Sequence, residues 1–152
     1  MKILGLRCSN ADYSFAILSG TLAAPVLEAS GTISAPKGYS KPQLLKWFFQ
    51  ELQGLHARYA PKCIVMKGSE GMAARGGSFV ERVELEAMVF YAGAELGIKP
   101  IHKKVKSQIA KGLGQKGNAK YLERVDKSVI DAFDGLSPKL QEAVLAAWSE
   151  LR

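Results

Sequence analysis

ILGLRCSNADYSFAIL, Ile3 to Leu18, is the stretch that decides the fold. Two short apolar runs flank Ser9, Asn10, Ala11 and Asp12, which supply turn chemistry, so the segment predicts a β-hairpin. Working outward, VLEASGTIS from Val26 to Ser34 mixes branched and small residues before Pro36 and Gly38, and predicts a third strand. After Ser40, the apolar residues Leu44, Phe48, Leu52, Leu55 and Tyr59 fall on one face of a helix, which Pro61 ends. CIVM, Cys63 to Met66, is the pattern of a central strand covered on both faces, and implies a βαβ crossover.

A second helix is marked by Phe79, Val83, Ala87, Phe90 and Ala94 and closes near Gly97, with a strand expected from Ile98 to Ile101. Beyond a basic loop, Leu122, Val125, Val129 and Phe133 give a helical stripe that Asp134 and Gly135 stop. Ser137 and Pro138 open a closing helix that buries Leu140, Val144, Ala147, Trp148 and Leu151. No repeat, linker or low-complexity segment divides the 152 residues, so a single domain over 1–152 is expected.

The hydrophobic fraction of 47% with 23% charged residues is ordinary for a globular chain, and no apolar run is long enough for a membrane helix. The opening MKILGLRCSN lacks the apolar core of a secretory signal, so a cytoplasmic location is the expectation. Cys8 and Cys63 share no metal-ligand spacing and read as buried structural thiols; His56 and His102 have no local ligand partner, so no metal site is expected at either.

The net charge of +7 is not spread evenly. Lys99 to Lys127 holds nine basic residues and two acids, while the rest of the chain carries twelve of each. A solvated face mixes signs, so the concentration points to a phosphate-facing surface that includes Lys103, Lys104, Lys106, Lys111, Lys116 and Lys120. Within it, GLGQKG formally matches a dinucleotide fingerprint, with Asp131 or Asp134 near the distance of a ribose-binding acid. The glycines follow a lysine-rich, helix-like segment instead of a buried strand, so the reading is a loop whose backbone at Gly112 and Gly114 approaches phosphates. Tyr121 is the one aromatic interleaved with the lysines and the candidate base-stacking residue, whereas Trp47 and Trp148 read as core or interface aromatics. GSEGMAARGGS, Gly68 to Ser78, offers Arg75 among glycines that permit close backbone approach, and has no GK[ST].

This order of elements resembles the α/β ribonuclease H-like fold, a mixed sheet with an N-terminal antiparallel hairpin and flanking helices. In its residues the chain resembles the RuvC-type Holliday junction resolvases. ILGLRCSNADYSFAIL is similar to their opening strand pair, CIVMKG to their fourth strand and VKSQIAKGLGQKGNAK, Val105 to Lys120, to their DNA-contacting segment. The resemblance implies a catalytic aspartate where Arg7 stands and a catalytic glutamate where Lys67 stands, and near the closing helix it implies a pair of acids where Glu142 is one. In such a fold the carboxylates hold divalent cations that activate water against a phosphodiester. Positive side chains there repel Mg²⁺ and attract phosphate.

The expectation is therefore a nucleic-acid-binding RuvC-like protein, DNA before RNA, inactive as a nuclease, without cofactor or membrane and with a homodimer possible. Arg7, Lys67 and Arg75 join the basic segment in contacting the ligand. Two alternatives stand beside it. One is a divergent Mg²⁺-dependent structure-selective endonuclease using Asp12, Glu70 or Glu142 in a shifted register. The other is a protein-protein adaptor on a dead nuclease fold, its lysines serving solubility.

Overall fold

The computed structural model describes residues 1–71 and 76–152. The hairpin forms as expected from β1 (Ile3–Cys8) and β2 (Asp12–Gly20), closed by the Ser9 amide donating to the Asp12 carbonyl at 2.9 Å. β3 (Pro25–Ser34) adds antiparallel to β2. α1 (Lys41–Tyr59) starts at a full capping box: the Gln43 amide donates to Ser40 Oγ at 3.5 Å and the Ser40 amide to Gln43 Oε1 at 2.8 Å. β4 (Cys63–Lys67) runs parallel to β1, so the sheet is mixed; with the edge strand β5 (Ile101–Lys104) it has the order β3-β2-β1-β4-β5. The sheet is thus the mixed one with an N-terminal antiparallel hairpin and flanking helices that the resemblance implies.

Helices cover both faces. α1 and α2 (Gly77–Leu96) bury Leu4, Leu6, Cys8, Tyr13 and Met66. α3 (Lys106–Gly112) and α4 (Pro138–Trp148) cover the other face, over Ile3, Ala16, Cys63 and Val65. Because successive residues of a strand point to opposite faces, the two cysteines sit in different cores and are free thiols. Trp148 is a core residue whose Nε1 donates to the Leu22 carbonyl at 2.9 Å, and the Trp47 ring packs 5.8 Å from that of Tyr13. Among the described residues no helix is long and apolar enough to cross a membrane.

Three expectations are corrected. The inward face of α2 carries Leu85, Glu86, Val89, Ala92 and Gly93, while Phe90 is 45% exposed. A buried glutamate occupies this face, which rotates the true stripe away from the one apolar spacing suggests. The edge strand β5 begins at Ile101, after Pro100, whose carbonyl accepts from the Ile64 amide. Between 119 and 135 there is no α-helix but three short 3-10 turns, Ala119–Arg124, Lys127–Val129 and Phe133–Gly135. Asn118 and Asp126 side chains accept backbone amides two residues on, at 3.1 and 3.0 Å, a local bonding that competes with helix propagation.

α4 crosses β1 at Gly5, where a β-carbon would stand 2.0 Å from the Ala143 carbonyl oxygen and 2.9 Å from Ala147 Cβ. Gly5→Val is expected to destabilise the fold by about 3 kcal/mol or more, by urea denaturation, because backbone must shift. Gly54→Ala, with open space around its helical position, is expected to stabilise by about 1 kcal/mol.

Candidate functional site: a cation-lined cleft at the strand ends

The parallel register sets Leu6 beside Met66, so the next residues, Arg7 and Lys67, close the two central strands on the face that α4 covers. Each meets a carboxylate. Arg7 Nε donates to Glu142 Oε2 of α4 at 2.6 Å, and its guanidinium also reaches the Cys8 carbonyl and, at 3.5 Å, Ser9 Oγ. Lys67 is 3% exposed, donates to the Gly68 carbonyl and pairs with Glu70 at 3.0 Å. Partial burial alone would push the Glu70 carboxyl up, but the Lys106 amide, donating at 3.0 Å, and the Lys67 ammonium outweigh it and hold the carboxyl below its ordinary value.

α2 contributes a cation that sequence reasoning missed. Arg82 Nη2 donates to the Lys67 carbonyl at 2.6 Å, and Nε lies 3.4 Å from Glu86. Burial, then repulsion from Arg7, pushes the Arg82 guanidinium down, against the attraction of Glu86 and Glu142. Glu86 is 1% exposed and also meets Lys103 Nζ at 2.8 Å. Cys8 lies on this side, 1% exposed in the core; burial, with Glu86 adding, pushes its thiol up to about 12.

These groups frame a cleft of about 330 Å³ lined by Arg7, Ser9, Asn10, Ser69, Ser78, Phe79, Arg82 and Lys139. No carboxylate is among these described lining residues. The N-terminal turns of α2 and α4 border it through Ser78 and Lys139, and neither helix has an acid in its first turn. The positive ends of both helix dipoles thus add to three cations. A lysine in a helix's first turn works against that dipole, and this is the sequence signal by which Lys139 could have been found. Arg82 and Glu86 stand at i and i+4 on α2, a spacing the sequence does show; what it does not show is that Arg82 also reaches the Lys67 carbonyl at the end of β4.

The structure sorts the expected phosphate contacts. Lys67 lies inside, saturated by Glu70 and a carbonyl, and does not line the cleft. Lys103 is held by Glu86, and Lys104 by Glu150 and Ser149 Oγ. Gly112 is a packing glycine: a β-carbon there would stand 2.5 Å from the Ser149 carbonyl oxygen. Gly114 keeps the reading of an open loop glycine, with φ +78° and nothing near its Cβ position. Lys106, Lys111, Lys116 and Lys120 are exposed and make no ion pair among the described residues. The Tyr121 ring is already approached by Arg124 at 4.4 Å and Lys120 at 5.2 Å, so it is not an open stacking platform. Arg75 lies outside the described residues. A second hollow of about 280 Å³, with Lys106, Lys127, Pro138, Gln141 and Glu142 in its wall, lies against the same opening turns of α4 as the first.

A mixed five-stranded sheet with an N-terminal antiparallel hairpin and a parallel fourth strand is the ribonuclease H-like fold. Within it, the chain has the fold of the Holliday junction resolvases. No protein-family model matches the sequence, and no curated protein matches it. Among solved structures it is similar to RuvC of Thermus thermophilus (TM-score 0.76, 13% identity, 98% of this chain and 92% of that one). It is similar also to T. thermophilus RuvC in complex with Holliday junction substrate (TM-score 0.74, 11% identity, 98% and 91%). The yeast mitochondrial Holliday junction resolvase follows the same course (TM-score 0.65, 14% identity, 97% and 76%).

The residues at the strand ends do not fit the divalent cation that such a fold implies. Glu142 is engaged by Arg7, Glu70 by Lys67, and Asp12 stands 3.7 Å from Lys139. Among the described residues these three acids form no cluster of ligand atoms, so the alternative of a shifted register using Asp12, Glu70 or Glu142 finds no assembled cage in this geometry.

The buried acid at this end should matter more than surface pairs. Glu86→Ala, which leaves Arg82 and Lys103 without their carboxylate, is expected to cost about 3 kcal/mol in chemical denaturation. Glu84→Ala, removing an exposed pair with Lys41, should cost less than about 1 kcal/mol.

Proposed function

We propose that the chain binds nucleic acid, DNA in the first instance, through its phosphates and does not cleave it. The observation that carries this reading is the cleft at the ends of the two central strands, whose described lining residues include Arg7, Arg82 and Lys139 and no carboxylate. Phosphate is a fitting occupant. Arginine presents a planar fork of donors, hydroxyls of Ser9, Ser69 and Ser78 add neutral ones, and two helix N-termini favour negative charge. The basic segment supports the same ligand, because Lys106 and Lys139 lie on either side of the opening of α4, where one backbone can meet both. The solved RuvC with a Holliday junction supports branched DNA as the first shape to try.

Cleavage by the metal-assisted route needs carboxylates free to hold a dication, whereas Glu142 pairs with Arg7, Glu70 with Lys67, and Asp12 lies 3.7 Å from Lys139. Incubation of four-way or duplex DNA with Mg²⁺ or Mn²⁺ is expected to give no cutting. Cutting that disappears in Glu142→Ala or Asp12→Ala would establish the nuclease alternative instead.

Binding is expected to weaken steeply with salt through counterion release. Replacing Lys106, Lys111, Lys116 and Lys120 by Gln should reduce the slope of log affinity against log salt by about 0.9 for each duplex phosphate that the variant leaves unneutralised. Arg82→Gln with Lys139→Gln should weaken binding further. Fluorescence anisotropy across a salt titration measures both. Affinity that is undetectable at low salt would favour the adaptor reading.

A further inference from the structure

Cys63, His102 and Glu150 come together although the sequence holds them far apart. Their ligand atoms, the Cys63 Sγ, a His102 ring nitrogen and a Glu150 carboxylate oxygen, all lie within 4.8 Å of one another. Cys63 opens β4, His102 lies in the neighbouring β5, and Glu150 follows α4. The cluster stands four residues along β4 from Lys67, about 13 Å at the rise of a strand, and shares no residue with the cation-lined cleft.

We propose that this cluster is a binding site for a divalent transition metal of the zinc class. A thiolate, an imidazole and a carboxylate are the donor types that borderline-soft ions select, and three protein ligands leave a fourth position to water. Around a tetrahedral ion the donors stand about 3.5 Å apart. The separations, all within 4.8 Å, exceed that spacing by about 1 Å at most, and His102, 41% exposed, has room to adjust.

The surroundings hold the carboxylate ready. Lys104 Nζ binds Glu150 Oε1 and donates to Ser149 Oγ at 3.1 Å, which leaves Oε2 toward His102, 3.9 Å from Nε2. This is the outer contact by which a ligand carboxylate is oriented. Arg152, on the same oxygen at 3.7 Å, is 79% exposed and free to swing into solvent. Without metal, Cys63 keeps its proton, since burial, with the Glu150 carboxylate adding, pushes the thiol up to about 11. As the Sγ–metal bond forms, that proton passes to solvent and aquo ligands leave the ion. The product is a clip that ties the edge strand β5, the root of the basic segment, to the central strand and to the end of α4.

Titration of the intact protein with Co²⁺, followed by displacement with Zn²⁺, tests the site. One equivalent of Co²⁺ should produce a thiolate-to-cobalt charge-transfer band, and Zn²⁺ should abolish it and raise the Tm. Cys63→Ser should lose the band. His102→Ala and Glu150→Gln should weaken Co²⁺ binding at least tenfold, while Cys8→Ala and His56→Ala should leave it unchanged. No band in the wild-type protein, or a band that survives Cys63→Ser, overturns the proposal. Because His102 is partly exposed, His102→Ala keeps the test decisive should Cys63→Ser fail to fold: unchanged Co²⁺ affinity in that variant also overturns it.

Discussion

The absence of a side chain at Gly5 lets α4 lie against the sheet backbone to backbone, and the rest of the molecule depends on that approach. A β-carbon there would stand 2.0 Å from the Ala143 carbonyl oxygen. Because the approach is so close, the residue before Ala143, Glu142, arrives at the end of β1 within 2.6 Å of Arg7. At the other end of the helix, Ser149 and Glu150 arrive over β5 and the Gly112 backbone. One helix thus sets the geometry of both candidate sites. Its own position is fixed by small residues, Ala143, Ala146 and Ala147, all buried on the sheet side.

Much of this is legible in the residues. β1, β2, β3 and β4 follow from alternation, branched runs and turn chemistry; α1 and α4 follow from period and from Ser caps. What stays hidden is non-local. The fifth strand is expected too early, at Ile98 to Ile101, because Lys103 and Lys104 are charged, and their partners, Glu86 on α2 and Glu150 just after α4, come from far along the chain. The α2 face escapes a periodicity argument for the same reason, since a glutamate that is 1% exposed is buried only where cations meet it. The stripe from Leu122 to Phe133 shows the opposite failure. Leu122 and Phe133 are buried, as the pattern says, yet local Asn and Asp caps divide the backbone into separate turns.

At the site itself, the residues named from resemblance stand at the strand ends, but their roles divide. Arg7 lines the cleft; Lys67 is buried beneath it and balanced by Glu70. A spacing argument sees that both positions carry positive charge. It does not see that both meet a carboxylate, or that only Arg7 still reaches the cleft. Lys103 and Lys104 illustrate the same blindness, as charge concentration in a sequence counts both as free when each is already paired.

Charge accounting then decides how the two halves of the proposed interface divide their work. Around the strand ends stand Arg7, Lys67, Arg82, Lys103 and Lys139, against Asp12, Glu70, Glu86 and Glu142, so the local excess of positive charge is small. A nearly balanced cluster attracts a polyanion weakly from afar, and screening removes most of what remains beyond about 8 Å in physiological salt. Long-range attraction therefore falls to the exposed lysines from Lys106 to Lys120. In the proposed reading, the guanidinium groups and hydroxyls of the cleft act at contact distance, where geometry would discriminate one phosphate position from another. In that reading steering and positioning fall to different elements of one surface, and Glu142, paired with Arg7 at 2.6 Å, is the support that keeps Arg7 in place.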